Sequence, residues 1–133
     1  MAKSYLSEGK IRLKTARSAI RKKNFAFAIR QSQECVELYL KGILRFVGIE
    51  PPKWHDVGIV IKREIDRFPE WFREKVDKIM VISKELRREL ETSMYGDSDL
   101  NLPANKLYSK NDAKEAVSNA KLVATLCDKL FDT

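Results

Sequence analysis

The residues of this chain best suited to chemistry sit at a few separate places. Its only histidine, His55, follows a Pro51-Pro52 pair and precedes Asp56. Imidazole titrates nearer neutrality than any other side chain, so His55 is a candidate phosphate ligand or proton-transfer group. The competing role is structural, as a helix cap or a packing partner of Trp54. Glu37 and Lys41 stand one helical turn apart, with Arg30 and Glu34 on the same face, a spacing that allows two i,i+4 ion pairs. Tyr95 and Tyr108 bracket a segment without sustained periodicity. Their rings could stack on a base and their hydroxyls bind phosphate, or they could anchor that segment to the rest of the protein. Asp97 and Asp99 resemble part of a cation loop, but the further oxygen ligands do not follow in register, so no metal site is expected.

A second concentration is electrostatic. Residues 1–30 carry nine basic side chains and one acid, Glu8, giving +8 against +7 for the whole chain. Lys3, Lys10, Lys14, Arg17 and Arg21 recur at helical spacing beside an apolar stripe rather than within it. Such a row is a footprint for a phosphate backbone or another acidic partner. It is equally the pattern of a solvated helix face, since no aromatic ladder for base stacking accompanies it.

Helices must position these groups. Ala2, Leu6, Gly9, Leu13, Ala16 and Ile20 line one face of a first helix that ends near Lys22-Lys23. Asn24 is placed to cap a second, whose core face reads Phe25, Ala28, Ile29, Ser32, Val36, Tyr39, Ile43 and Val47 before Gly48 stops it. The short interruption implies an antiparallel hairpin. Pro51-Pro52 bars a helix from the next turn, and Asp56 can cap a third through Val57, Ile61, Ile65 and Phe68. Pro69 suits the first turn of a fourth, marked by Phe72, Val76, Ile79, Ser83, Leu86, Leu90 and Met94. Residues 95–109 form a long connection of the kind that often carries function. Ser109 with Asp112 then resembles a capping pair for a last helix facing inward with Ala113, Val117, Ala120, Ala124, Cys127 and Phe131. No convincing strand pattern appears, so the expected fold is an all-α, five-helix up-and-down bundle formed by a single domain over residues 1–133.

Composition agrees. The chain has 133 residues, 44% hydrophobic and 34% charged, with few Gly and Pro, which suits a folded helical protein better than a disordered one. No apolar run approaches the roughly 20 residues that span a bilayer, so no membrane association is expected. Cys35 and Cys127 both fall at apolar-face positions and read as buried free thiols in a reducing cytoplasm. Phe27 and Leu38 lie opposite the core stripe of the second helix. That helix is therefore either buried on two sides or joined to another subunit, and a homodimer through Phe27 and Leu38 is the expectation.

The order of a Glu/Lys-bearing helix (Glu37 to Lys41), a Gly48-Ile49-Glu50-Pro51-Pro52 turn and His55-Asp56, followed by Ser93-Met94-Tyr95-Gly96 and an alanine-rich final helix, resembles the HEPN family of small helical bundles. The similarity covers nearly the whole chain. It implies a helical domain that dimerises and acts on or beside nucleotides and RNA, commonly next to a minimal nucleotidyltransferase, as its substrate-binding subunit or in a toxin-antitoxin pair. It also implies a polar cleft in which Lys41 approaches His55 and Asp56. Some relatives are metal-independent ribonucleases, recognised by an Arg with four to six residues between it and a His. That motif is missing here: the nearest Arg before His55 is Arg45, beyond the Pro-Pro turn, and Tyr95-Gly96 offers neither Arg nor His. The expectation is a nucleotide- or RNA-binding accessory subunit without cofactor, leaning away from an enzyme. Lys10, Lys14, Arg17, Arg21, Lys41, His55, Asp56, Tyr95 and Tyr108 are its candidate binding residues. The alternatives are a divergent ribonuclease using His55 and a structural dimerisation module.

Overall fold

The computed structural model describes residues 1–53, 56–95 and 108–132, with the backbone alone for 90–95. It is helical throughout: α1 (Ala2–Arg21), α2 (Phe25–Phe46), α3 (Val57–Arg63), a 3-10 turn (Ile65–Arg67), α4 (Glu70–Arg73), α5 (Val76–Tyr95) and α6 (Lys110–Phe131). No strand occurs among the described residues. The bundle expected from the sequence is therefore present, with one subdivision. The fourth predicted helix is broken at Glu74-Lys75 into α4 and α5, yet Phe72, Val76, Ile79, Ser83 and Leu86 are all buried on either side of the break. Pro69 stands just before α4, at its N-cap, rather than inside its first turn.

The α1–α2 hairpin turns through Lys22, Lys23 and Asn24. Asn24 N–H donates to the Ala19 carbonyl at 2.9 Å and Lys23 N–H to Ile20 at 3.0 Å, with Lys23 left-handed at φ 60°. This pairing of a six-to-one and a five-to-two bond satisfies the last carbonyls of α1. Asn24 occupies the N-cap of α2, but its side chain makes no capping bond. The same bonding pattern closes α2 at Gly48, whose φ of 86° is the conformation glycine adopts without steric cost. Ser109 accepts from Asp112 N–H at 3.1 Å while Asp112 accepts from Ser109 N–H at 2.9 Å, a complete capping box that starts α6.

α2 is the central helix. It buries Ile29, Val36, Leu40, Ile43 and Leu44, and also Ala26, Gln31, Gln33 and Cys35, around most of its circumference. Ala19, Ala28 and Ala113 meet at one end, and Phe46 stacks on Phe131 with centroids 4.5 Å apart at the other. The C-terminal end of α1 thus lies beside the N-terminal ends of α2 and α6. Ile29, Leu86 and Ala116 line one groove, which places the C-terminal half of α5 beside the N-terminal halves of α2 and α6. Alternation of direction through α1, α2, α5 and α6 is the up-and-down arrangement.

Small residues let α1 and α2 approach closely. A Cβ added to Gly9 would stand 2.6 Å from Tyr39 Cδ2, and one added to Gly42 would stand 2.5 Å from Leu6 Cδ1. Cys35, Tyr39 and Cys127 are fully enclosed near this seam, and both thiols are free. Burial first, then the Asp128 carboxylate, pushes the Cys35 thiol from 9.0 up to about 12, with Arg17 opposing, and burial raises Cys127 and Tyr39 likewise. An unfolded chain releases the Cys35 proton from about pH 9, whereas the folded chain holds it to about pH 12, so stability falls with rising pH across that window. Cys35 alone is expected to contribute a loss of about 2 kcal/mol between pH 8 and 10.5. Urea unfolding at both pH values measures it. The fall is expected to be shallower in Cys35→Ala, and equal falls would refute the assignment.

Candidate nucleic-acid interface

Lys10, Lys14, Arg17 and Arg21 step by fours and threes along one exposed edge of α1. None forms an ion pair with a described carboxylate. The opposite edge of the helix behaves differently. Arg12 donates to Gln31 Oε1 at 3.4 Å and lies 3.6 Å from Glu34 Oε2, so its charge is taken up by α2. Glu8, one turn before Arg12, shares that edge, and so does Tyr5, two turns before it. The only acid in the first thirty residues is therefore turned away from the free row.

Residues singled out on α2 divide. Lys41 pairs with Glu37 at 3.8 Å, and Glu37 also accepts from Gln33 at 3.2 Å. The second anticipated i,i+4 pair does not form. Glu34 is engaged by Arg12 and accepts from Gln31 Nε2 at 3.2 Å, while Arg30 lies over the Phe27 ring at 5.5 Å. Phe27 and Leu38 are both half-buried on the outward side of α2. Phe27 packs beside the Ala19, Ala28 and Ala113 cluster. Part of Phe27 is thus buried within the bundle, and the exposed parts of Phe27 and Leu38 remain on the outer side of α2.

Asp56 is the N-cap of α3, accepting from Gly58 N–H at 2.9 Å, and Arg87 of α5 reaches its other oxygen at 3.0 Å. Its cap was legible in the sequence. Its ion pair was not, because Arg87 belongs to a helix thirty residues on and carries no local signal. Among the described residues no ion pair joins Lys41 to Asp56: Lys41 pairs with Glu37 and Asp56 with Arg87. His55 and the side chain of Tyr95 lie outside the described residues, as do Asp97 and Asp99.

Tyr108 is half-buried, and its hydroxyl donates to the Glu89 carbonyl at 3.2 Å, tying the start of α6 to α5. It lines a groove of about 440 Å³ floored by Ile29, Leu86 and Ala116. Glu85, Glu89, Asp112 and Glu115 rim this groove, with Arg88 among them. Four carboxylates disfavour a phosphate there. No group of three or more metal-ligating side chains occurs among the described residues, and no described helix is long and apolar enough to cross a membrane. Of the binding residues expected from the sequence, those of the α1 row are the ones whose charge is both exposed and uncommitted among the described residues.

Comparison with known proteins agrees with the architecture. The family model described as "HEPN domain" matches residues 2–130. No curated protein matches. Among solved structures, the chain is similar to the crystal structure of TT1696 from Thermus thermophilus, with 21% identity, a TM-score of 0.75 and 96% of each chain covered. At that identity the likeness shows the shared fold.

Proposed function

From its membership of the HEPN domain family, to which this chain belongs, we propose that the protein is a nucleotide- or RNA-binding accessory subunit that works with a minimal nucleotidyltransferase partner. The observation that carries this reading is the row of Lys10, Lys14, Arg17 and Arg21, exposed and without ion-pair partners among the described residues. Cations held free along a straight helix displace counterions from a phosphate backbone without needing a sequence-specific contact. Tyr108 is not required for binding in this account, because its hydroxyl is already committed to the Glu89 carbonyl.

The subunit acts as a homodimer that leaves the α1 row open, with the half-buried Phe27 and Leu38 of α2 at the contact. Pairing with a nucleotidyltransferase, of which a toxin-antitoxin pair is one form, is supported by the family alone. Two buried free thiols suit a reducing cytoplasm.

Binding without cleavage is the expected behaviour, because the sequence has one histidine and lacks the Arg-to-His spacing of the ribonuclease relatives. End-labelled structured RNA incubated with the protein in chelator is expected to shift on a native gel and stay intact on a denaturing one. Cleavage by the wild type that disappears in His55→Ala would overturn the accessory reading in favour of a ribonuclease.

A further inference from the structure

The charge census of the sequence assigns the basic character to the first helix, but the fold brings a second set of cations beside it. Asp128 of α6 accepts from the Tyr39 hydroxyl at 3.4 Å, and the Tyr39 ring covers Gly9 of α1. That side of α6 therefore faces the α1 seam. Lys121 and Lys114 precede Asp128 by two and four helical turns and share its side, and Lys110 lies one turn before Lys114. All three lysines are exposed, and none pairs with a described carboxylate. The acids in the first half of α6, Asp112 and Glu115, point instead into the groove shared with α5. The first half of α6 thus sorts its charges by side, lysines toward α1 and carboxylates toward α5, while Asp128 lies further along on the lysine side, bonded to Tyr39.

The α1 row borders the same seam. Its opposite edge, carrying Arg12, is taken by Gln31 and Glu34 of α2, while Arg17 is near enough to Cys35, itself under the field of Asp128, to influence that thiol. The helices run antiparallel, with Ala19 against Ala113, so the end of α1 at Arg21 and Lys22 adjoins the start of α6 at Lys110 and Lys114. Like charges gathered at one corner repel, and lysines in the first turns of a helix oppose its dipole. This arrangement costs the free protein stability that a bound polyanion would restore.

We infer that α1 and α6 form one two-row footprint for the paired phosphate strands of a double-stranded nucleic acid. The inference rests on the nucleic-acid reading proposed above and specifies its ligand. Lys10 to Arg21 spans about 16 Å along α1, and packed helix axes lie about 8–10 Å apart. Two nearly parallel rows of cations match two backbones flanking a groove, whereas a single strand follows one row. Surfaces for single strands add aromatic side chains on which bases stack. Neither row carries an aromatic side chain of its own: Tyr5 is on the Arg12 edge of α1, Phe131 is turned to Phe46 of α2, and Phe25 of α2 packs half-buried against Ala19, Ala28 and Ala113. Recognition is therefore by shape and phosphate, without base readout.

Fluorescence anisotropy with a blunt RNA duplex, the matching DNA duplex and one RNA strand alone tests this, using wild type, Lys114→Gln with Lys121→Gln, and Lys10→Glu with Lys14→Glu and Arg17→Glu. The α6 variant is expected to lose on the order of 50-fold in duplex affinity at 0.1 M salt, with a salt slope shallower by about two, and to bind the single strand as before. Preference for RNA over DNA duplex would assign 2′-hydroxyl contacts, and equal affinity would assign backbone charge alone, either supporting the footprint. Unchanged duplex affinity in the α6 variant, with binding lost in the α1 variant, would overturn the inference and leave the one-helix reading standing. Equal losses on duplex and single strand would also overturn it. No binding by wild type to any probe would overturn both.

Discussion

Reversing Lys10, Lys14 and Arg17 to Glu is expected to weaken RNA binding by at least on the order of 100-fold at 0.1 M salt while leaving the fold intact. Each phosphate contact contributes a power of about 0.7–0.9 to the salt dependence, so three contacts account for roughly that factor at this concentration, before the repulsion of three new carboxylates is counted. The three side chains are exposed and form no ion pair with described residues, so their replacement removes no structural interaction. Surface changes of this kind ordinarily shift stability by no more than about 0.5 kcal/mol. Helical circular dichroism and the thermal midpoint check the fold, and RNA titration reads the affinity. Undiminished binding by a folded triple variant would remove α1 from the interface.

Gly9→Val is expected to destabilise the bundle by about 3 kcal/mol, the upper end of what overpacking a core costs. Gly9 is buried on α1, where an added Cβ would meet Tyr39 Cδ2 at 2.6 Å and Cε2 at 2.7 Å, with the Cys35 carbonyl at 3.4 Å. The Tyr39 ring is fully buried and its hydroxyl is tethered to Asp128, so it has little room to retreat. Separating α1 from α2 is the alternative, and it would open the largest seam of the bundle. A drop of about 10 °C in the thermal midpoint follows for a chain of this size. Ile11→Val, on the same helix at a site 57% exposed, provides the control and should scarcely move it. A Gly9→Val protein as stable as wild type would mean that the hairpin is looser than its glycines imply.

The elements that were legible in the sequence are those whose signals are local. Ser109 with Asp112 states a capping box in four residues, and Gly48 marks the end of α2 where a left-handed residue is required. The break between α4 and α5 was hidden, because Glu74 and Lys75 are unremarkable helix formers and the burial pattern resumes in phase at Val76. Lys23 at a left-handed position was equally hidden, since no glycine announces it. The candidate site shows the same division. The row on α1 repeats within one helix and could be read directly, whereas Arg87 on Asp56 and Glu34 on Arg12 join residues from different helices. Lys114 and Lys121 were invisible as a site for a further reason: the net charge beyond residue 30 is close to zero, and only the fold separates their side of α6 from that of Asp112 and Glu115.

Phe27 and Leu38 show how one pattern can have two causes. An apolar residue on the outer side of a helix signals either a second packing partner within the chain or a neighbouring subunit. α2 has partners in α1, α5 and α6, and this explains the burial of Gln31, Gln33 and Leu40, which lie outside its primary stripe. Only the part of Phe27 and Leu38 still exposed remains for a dimer contact.

The most direct measurement is the salt dependence of structured-RNA affinity for the wild-type protein. An interface built on at least the four free cations of α1 predicts a plot of log affinity against log salt with a slope of about −3 or steeper. A slope near zero, or no binding at low salt, would contradict the account.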